Sequence, residues 1–486
     1  MYKIILRENV NRYSCEGLIK IFLRPDLYDL IYAPSAVSDD FWPETEKTPA
    51  RKNKDRQEYQ PNYEAVINLT GDETASTDKN AVKRMLYSRL SALTGYCHEW
   101  GILTGVRPVK LAGEIVRRCG SFSKARKELL DFYLLSPEKA DLILDIYHYQ
   151  QEHLPKPPHE SVGLYLGIPF CPTRCLYCAF TSNEAKPEEI ERYLKALHRE
   201  IDGTADAMRM KGWYPESIYI GGGTPTTLTA LQLDELLFHI EKAFDFSRLL
   251  EFTVEAGRPD TIDSEKLAVI QKHNIGRISI NPQSMKDKTL EIIGRTHKSS
   301  DIERAFAEAK EAGISCINAD VIAGLQGEDE NDFVRTLEKI IAMGAENITV
   351  HTLAVKRASK LVEMDKDFHY KQAAMVAKQL AAGRKLLKEH GYRPYYLYRQ
   401  KNMAGGLENT GYCKNDTLSV YNIRIMEEMQ TIIALGAGGI SKVYYDAENR
   451  LERVANVSNY EIYIERIEEM IERKKKNLFQ EEETIC

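Results

Sequence analysis

The sequence predicts an α/β protein whose centre is an incomplete barrel of six β/α units, with an N-terminal α+β module before it and a C-terminal extension after it. From residue 161 onward, short segments of branched residues alternate with segments of helical periodicity, as in parallel β/α units. Residues 154–160 read LPKPPHE, and a segment so rich in proline favours a domain boundary. The pattern changes again after Val355. The predicted domains are therefore residues 1–153, 161–365 and 366–486.

The first domain reads as a small sheet followed by a helical bundle. Segments rich in branched residues predict strands at residues 2–6, 18–23 and 63–69. Residues 38–61 are polar and broken by prolines, which predicts an exposed loop. From Thr77 the spacing is helical, and Ser136 is a candidate N-cap with Pro137 at the first position of the last helix.

The second domain is the barrel. Its candidate strands are residues 163–168, 217–220, 251–255, 277–280, 316–322 and 347–353. Its first three helices are predicted at residues 187–211, 230–244 and 264–273. Six units do not close a barrel, so the interior should admit a large, flat substrate. In barrels of this kind the chemistry lies at the C-terminal ends of the strands.

Three cysteines follow the first barrel strand with CxxxCxxC spacing: Cys171, Cys175 and Cys178. Thiolates are soft ligands that suit iron, and three of them in one short loop can bind three irons of a [4Fe-4S] cluster. The fourth iron is then open to a chelating amino acid, as in S-adenosylmethionine (SAM). Tetrahedral zinc would need a fourth ligand, and His198 and Cys316 are distant in sequence. A disulfide framework is disfavoured by nine scattered cysteines, and chance clustering leaves the neighbouring residues unexplained.

Those neighbours closely resemble the opening motif of the radical SAM enzymes related to oxygen-independent coproporphyrinogen III oxidase. The resemblance is carried by Tyr165, Ile168, Pro169, Phe170, Cys171, Cys175, Tyr177, Cys178 and Phe180. It extends over residues 163–439 and is closest to the HemZ-like branch of the family. It implies a radical SAM partial barrel, with a [4Fe-4S] cluster on the three cysteines as the catalytic centre and SAM as the second cofactor.

The chain departs from the family pattern at a few positions. The oxidase members usually have histidine in place of Gly167 and an additional cysteine in place of Phe180, and the family usually has proline in place of Gln326. Phenylalanine at position 180 is shared with the haem chaperones called HemW. Tyr421 lies where both branches have an HNxxYW-type sequence, which this chain lacks.

The resemblance also implies which residues bind SAM. They are Tyr165, Phe180, Gly222, Gly223, Thr224, Glu255, Gln283, Arg295 and Asp320. Glycines let backbone groups approach a ligand, carboxylates and a carboxamide suit amino and hydroxyl groups, and a guanidinium fork suits a carboxylate. For some of them a structural role is the alternative, such as an ion pair between Glu255 and Arg258.

By the same resemblance, the cluster receives one electron from a donor such as flavodoxin or ferredoxin and cleaves SAM to a 5′-deoxyadenosyl radical. The radical would take a hydrogen atom from a propionate of coproporphyrinogen III, and loss of carbon dioxide and one electron would leave a vinyl group. Two rounds give protoporphyrinogen IX, a step of haem and porphyrin biosynthesis. The alternative is a haem chaperone on the same scaffold, so the predicted partner is a tetrapyrrole, either coproporphyrinogen III or haem.

Composition restricts the remaining possibilities. The 486 residues carry a net charge of −6, which gives no general attraction to nucleic acid. No apolar run approaches the roughly twenty residues of a membrane span, and the first residues do not resemble a signal peptide. These features predict a cytoplasmic protein, in a reducing compartment that suits an oxygen-sensitive cluster.

The last domain offers candidate substrate contacts. Residues 370–390 read as a helix, and residues 392–399 as an aromatic strand whose Arg393 and Arg399 could bind tetrapyrrole carboxylates. Residues 459–476 are predicted to be a helix that ends in a charged, solvated tail.

Overall fold

The computed structural model describes residues 1–7, 10–33, 65–69, 79–178, 183–354, 372–400 and 403–479. These residues form two compact units, one made of residues 1–106 and 112–144 and the other of residues 107–111 and 145–486. The predicted loop at residues 38–61 and Phe180 lie outside the described residues. The three predicted domain limits remain a prediction.

The first unit contains a three-stranded parallel sheet in the order β2-β1-β3. Its strands are β1 (Tyr2–Arg7), β2 (Tyr28–Ala33) and β3 (Ala65–Leu69). The helices of this part of the chain are α1 (Arg12–Phe22), α2 (Lys79–Thr94), α3 (Pro108–Cys119), α4 (Phe122–Asp131) and α5 (Pro137–His153). The first residues of α3 and the last residues of α5 belong to the second unit. The hydroxyl of Ser136 accepts a hydrogen bond from the Lys139 N–H at 3.3 Å, which confirms the predicted cap of α5.

The predicted strand at residues 18–23 is wrong, because these residues belong to α1. The side chain of Asn11 caps this helix by accepting a hydrogen bond from the Ser14 N–H at 3.0 Å. Cys15, Leu18 and Ile19 then share one buried helix face. Their three- and four-residue spacing outweighs the strand preference of isoleucine, and the second strand of the sheet is β2, which the sequence did not predict.

The second unit is built on an 11-stranded sheet whose central six strands are parallel and adjacent in chain order. These strands are β4 (Ser161–Ile168), β5 (Tyr214–Gly222), β6 (Glu251–Glu255), β7 (Arg277–Ser279), β8 (Cys316–Ala323) and β9 (Asn347–Thr352). The helices between them are α6 (Pro187–Lys211), α7 (Ala230–Ala243), α8 (Ser264–Lys272), α9 (Asp287–Ile292), α10 (Ser299–Glu311) and α11 (Glu330–Ala342). This arrangement confirms the α/β class and the six predicted β/α units.

The chain then adds strands to both edges of the parallel sheet. The additional strands are β10 (Arg393–Arg399), β11 (Glu408–Cys413), β12 (Thr431–Leu435), β13 (Ile440–Tyr445) and β14 (Arg450–Ala455). β11 pairs antiparallel with β9, and β12 pairs parallel with β4. The remaining helices are α12 (Ala373–Glu389), α13 (Val420–Glu427), α14 (Tyr460–Glu465) and α15 (Ile467–Lys474).

The basic run at the end of α15 is exposed at Lys475 and Lys476, as its charges predict, but Lys474 is an exception. Lys474 is only 2% exposed and forms an ion pair with Glu200 of α6, which is completely buried. The other oxygen of the Glu200 carboxylate accepts hydrogen bonds from the Gly436 N–H at 2.7 Å and the Tyr463 hydroxyl at 2.6 Å. A buried lysine needs an anionic partner. The sequence alone does not show that this partner is Glu200, because Lys474 and Glu200 are far apart along the chain.

Candidate active site

The three cysteines lie on the loop that follows β4, at the C-terminal end of the parallel strands. The loop is closed at its base, where the Cys171 N–H donates to the Asn183 carbonyl at 3.0 Å. Farther along, the Leu176 N–H donates to the Ile293 carbonyl at 3.1 Å. Cys171, Cys175 and Cys178 are all partly exposed. The backbone therefore holds a defined loop that presents three accessible thiols.

The donor set fits a cubane. Thiols suit iron, and Cys171 Sγ lies 3.4 Å from the Thr224 hydroxyl, so the loop faces the residues that follow β5. Among the described residues, no three His, Cys, Asp or Glu side chains are close enough together to hold a single metal ion. A cubane binds each thiolate through a different iron, so its cysteines stand farther apart than the ligands of one ion.

Two buried arginines hold this loop against the barrel. Arg258, which is 3% exposed, donates to the Thr173 hydroxyl at 2.7 Å and pairs with Asp260 at 2.7 Å. Burial raises the pKa of Asp260, but the hydrogen bond and charge of Arg258 outweigh this and leave that pKa low. The alternative pairing of Glu255 with Arg258 is thus not what the structure shows. Arg258 was not predicted to be a site residue. Two strands, β5 and β6, lie between it and Thr173 in the sequence, so no local pattern joins the two residues.

Arg295 is the second of these arginines. Its guanidinium donates to the Tyr177 hydroxyl at 2.9 Å and to the Gly257 carbonyl at 3.2 Å. Its Nε is buried and has no hydrogen-bond partner among the described residues. This orphaned, buried donor beside the cysteine loop is suited to an anionic ligand that would accept its hydrogen bond.

The GGGTP segment after β5 has a structural reason for its glycines. Gly222 has φ +114°, and a Cβ on Gly223 would lie only 2.4 Å from the Phe170 carbonyl oxygen. The Gly223 and Thr224 N–H groups donate to the carbonyls of Ile168 and Phe170, both at 2.8 Å. The glycines therefore bring this segment against the base of the cysteine loop, and these two N–H groups are already used.

Glu255, at the end of β6, accepts a hydrogen bond from the Tyr219 hydroxyl at 2.6 Å. Burial raises the pKa of Glu255 to about 7, and the hydrogen bond from Tyr219 only partly opposes this increase. The Glu255 carboxyl therefore changes charge near neutral pH.

We expect the stability contributed by Glu255 to fall as the pH rises. Its pKa is about 7 in the folded chain and about 4.3 in the unfolded one, so the folded state binds more protons between these values. The free energy of unfolding of Glu255→Gln, relative to that of the unsubstituted chain, should therefore increase by up to about 3 kcal/mol as the pH rises from 4 to 8. Urea unfolding of cluster-free protein measures this, and a pH-independent difference between the two chains would contradict it.

Asp320, on β8, is held by two neighbours. The Asn318 amide donates to it at 2.8 Å, and His351 of β9 lies 3.5 Å from its other oxygen. Burial raises the pKa of Asp320, but His351 and Asn318 outweigh this and lower it. His351 in turn contacts the Tyr398 hydroxyl at 3.3 Å. His351 was not predicted, although its place at the end of the sixth parallel strand is a signal that could have found it.

Gln283 and Asn281 follow β7. Gln283 has φ +64°, and its N–H donates to the Asp320 carbonyl at 2.9 Å, so its backbone joins this segment to β8. Asn281 was not predicted to be a site residue. Its Oδ1 is buried and finds no hydrogen-bond partner in the part of the chain that the structure describes. Asn281 is therefore a second orphaned polar group at the strand ends, and its place directly after a barrel strand could have indicated it.

Tyr165 belongs to a stack of three tyrosines inside the barrel. Its ring is parallel to those of Tyr219 and Tyr421, with centroids 6.3 and 6.4 Å away, and the Tyr219 and Tyr421 rings are 4.7 Å apart. Tyr165 and Tyr219 are partly exposed, whereas Tyr421 is buried. The structure thus brings Tyr165 together with Glu255 through Tyr219.

The two arginines of β10 do not act as a pair. Arg393 pairs with Cys413, which is opposite Asn347 at the start of β9, and therefore lies at the end of the barrel away from the cysteines. Arg399 lies at the correct end, but it is buried and donates to the Gly406 carbonyl at 2.6 and 3.0 Å. Because six positions of extended strand separate the two arginines, Arg393 lies far from Arg399, and the expectation that they bind substrate carboxylates remains a prediction.

Comparison with known proteins places this geometry in a class. A family model described as the radical SAM superfamily matches residues 165–340. The structure is similar to the coproporphyrinogen III oxidase HemN from Escherichia coli, described as a radical SAM enzyme, with a TM-score of 0.52, 20% identity, and coverage of 66% of this chain and 72% of that one. At this identity the likeness shows the fold alone.

Relatives that are similar in sequence indicate to which branch of this superfamily the chain belongs. The chain is 39% identical over 417 residues to HemZ of Bacillus subtilis, an oxygen-independent coproporphyrinogen-III oxidase-like protein, covering 85% of this chain and 83% of that protein. It is 35% identical over 195 residues to the heme chaperone HemW of Bacillus subtilis, covering 40% of this chain and 50% of that protein. The chain belongs to the HemZ-like branch of the radical SAM superfamily, whose cofactors are a [4Fe-4S] cluster and SAM.

Every helix in the described part of the chain is too short or too polar to cross a membrane.

Proposed function

We propose that this protein is an oxidative decarboxylase that converts coproporphyrinogen III to protoporphyrinogen IX. The observation that carries the proposal is the likeness to HemZ, which extends over most of both chains rather than over the barrel alone. The cysteine loop, the two orphaned polar groups and the open barrel at the same strand ends support it. We also propose that the protein works in the cytoplasm with a one-electron donor such as flavodoxin or ferredoxin.

Cys171, Cys175 and Cys178 would hold the cluster in this proposal. Since two N–H groups of the GGGTP segment are already used, the carbonyls of Gly222 and Gly223 are the groups that would accept hydrogen bonds from the SAM amino group. The remaining proposed SAM contacts are Tyr165, Phe180, Thr224, Glu255, Gln283, Arg295 and Asp320. The orphaned Arg295 Nε is suited to the SAM carboxylate, because a buried guanidinium donor gains most from an anionic acceptor.

The bound cluster and SAM supply a 5′-deoxyadenosyl radical, and the chain supplies placement and a site from which water is excluded. The substrate propionate loses a hydrogen atom, carbon dioxide and one electron, which leaves a vinyl group. His351 is the proposed contact for a substrate carboxylate, because it is 28% exposed at a strand end and Asp320 and Tyr398 orient its ring. His351→Phe should therefore weaken substrate binding and leave iron content unchanged.

A haem chaperone is the second candidate. The likeness to HemW favours it, as does Phe180, the residue that the HemW branch has at this position. A chaperone would bind the finished metalloporphyrin and would not need to remove hydrogen from a propionate.

Anaerobic incubation with SAM, a reductant and coproporphyrinogen III tests the proposal. We expect protoporphyrinogen IX, with 5′-deoxyadenosine formed in proportion to it. Stable binding of haem without conversion of coproporphyrinogen III would overturn the proposal in favour of the chaperone. A Cys175→Ser variant is the control, since a chaperone that only needs the folded barrel would still bind haem, whereas a decarboxylase would lose all turnover.

A further inference from the structure

Tyr165, Tyr219 and Tyr421 form a stack of three tyrosines, and the proposed reaction gives no role to Tyr219 or Tyr421. Among the described residues, Tyr219 is the member of this stack whose hydroxyl donates to a carboxylate, that of Glu255, at 2.6 Å. Its ring lies 4.7 Å from Tyr421 and 6.3 Å from Tyr165, with interplanar angles of 22° and 16°. Parallel phenols at these distances can share an unpaired electron, and a carboxylate beside one of them can accept its proton.

Two glycines open this stack towards the strand ends. Gly167 follows Tyr165 by two residues on β4, and Gly221 follows Tyr219 by two residues on β5, so each glycine lies directly above its tyrosine on the inner face. A Cβ on Gly221 would be 2.9 Å from both the Tyr219 ring and the Glu255 carboxyl. A Cβ on Gly167 would be 3.5 Å from the Tyr165 ring. Any side chain at Gly221 would therefore displace or cover the phenol and its partner.

We propose that Tyr219 is a hydrogen-atom donor that quenches the 5′-deoxyadenosyl radical when SAM is cleaved without substrate in place. The Tyr219 O–H bond breaks and a C–H bond forms at the 5′ carbon, which gives 5′-deoxyadenosine and a tyrosyl radical. The step is favourable because a phenol O–H bond is weaker than the C–H bond of a methyl group. One electron from the reductant that serves the cluster and one proton from solvent then restore the phenol.

The arrangement suits a site that must survive unproductive cleavage. Stacking on Tyr421 and Tyr165 spreads the unpaired electron from Tyr219 over neighbouring rings, of which that of Tyr421 is buried. Glu255 keeps the Tyr219 oxygen in place before the transfer, because its carboxylate accepts the hydrogen bond of the hydroxyl. This inference rests on the proposed position of SAM at these strand ends, but not on whether the substrate is coproporphyrinogen III or haem.

The source of the hydrogen atom can be read from an isotope label. Phenol hydrogens exchange with solvent, whereas carbon-bound hydrogens do not. We therefore expect substrate-free cleavage of SAM in D2O, with titanium(III) citrate as a thiol-free reductant, to give 5′-deoxyadenosine that carries one deuterium. Freeze-quenched samples should show the electron paramagnetic resonance signal of a tyrosyl radical.

Tyr219→Phe should lose both the deuterium and this signal while retaining iron and unlabelled 5′-deoxyadenosine. Tyr396→Phe is the matched control, because Tyr396 is buried in the same unit but does not belong to the stack, and it should keep the label. Unlabelled product from the unsubstituted chain, or labelled product from Tyr219→Phe, would overturn the inference. If Tyr219→Phe fails to load iron, unsubstituted protein that contains ring-deuterated tyrosine tests the inference instead: the radical signal should narrow, and an unchanged signal would overturn the inference. A chain that forms no 5′-deoxyadenosine at all would instead contradict the proposed function.

Discussion

Replacing Cys175 by serine is expected to abolish cluster binding and all cleavage of SAM. A serine hydroxyl is a hard ligand that stays protonated at neutral pH, so it cannot replace a thiolate on iron. With two thiolates left in the loop, the cluster loses one of its three protein ligands. Iron and sulfide analysis of anaerobically reconstituted protein, together with the yield of 5′-deoxyadenosine, measures the effect. The same loss is expected for Cys171→Ser and Cys178→Ser.

Cys97→Ser provides the matched control, because Cys97 is an exposed cysteine of the first unit. It should bind as much iron as the unsubstituted chain and form as much 5′-deoxyadenosine. The assignment of the loop would be refuted if Cys175→Ser retained a full complement of iron, or if Cys97→Ser lost it.

Replacing Glu200 by glutamine should cost about 3–5 kcal/mol of folding free energy, the usual penalty for leaving one partner of a buried ion pair uncompensated. The substitution keeps the shape of the side chain but leaves the Lys474 ammonium buried without an anion. Lys474→Met should be destabilising for the same reason. The double variant Glu200→Gln with Lys474→Met should lose much less folding free energy than the two single variants lose together, because it leaves neither charge of the pair buried. Urea unfolding at pH 7 measures all three.

Arg199→Gln is the control for this prediction. Arg199 and Glu468 also join α6 to α15, but their side chains are 59% and 66% exposed. An exposed pair contributes at most about 1 kcal/mol. If Glu200→Gln were no more destabilising than Arg199→Gln, the buried pair would not hold α15 on the barrel.

Much of the candidate site follows from patterns that are local in the sequence. The cysteine spacing, the GGGTP segment and the acid that ends β6 each lie directly after a strand that branched residues predict. Because parallel strands bring their C-terminal ends to one edge, these segments had to meet there. The error at residues 18–23 has a similarly local cause, since branched residues fit a helix face when their spacing is three and four.

The sequence alone determined the superfamily, the cofactors, the order of the six β/α units and the end of the barrel that carries the site, because each of these depends on residues close together in the chain. Only the tertiary structure decided which distant residues complete the site: Arg258 on Thr173, His351 on Asp320 and Tyr421 on Tyr219. It also decided that Lys474 pairs with Glu200 where α15 packs on α6. The physical reason is that periodicity shows which side chains face inward, whereas the partner that each one finds depends on the register and packing of strands and helices far away in sequence.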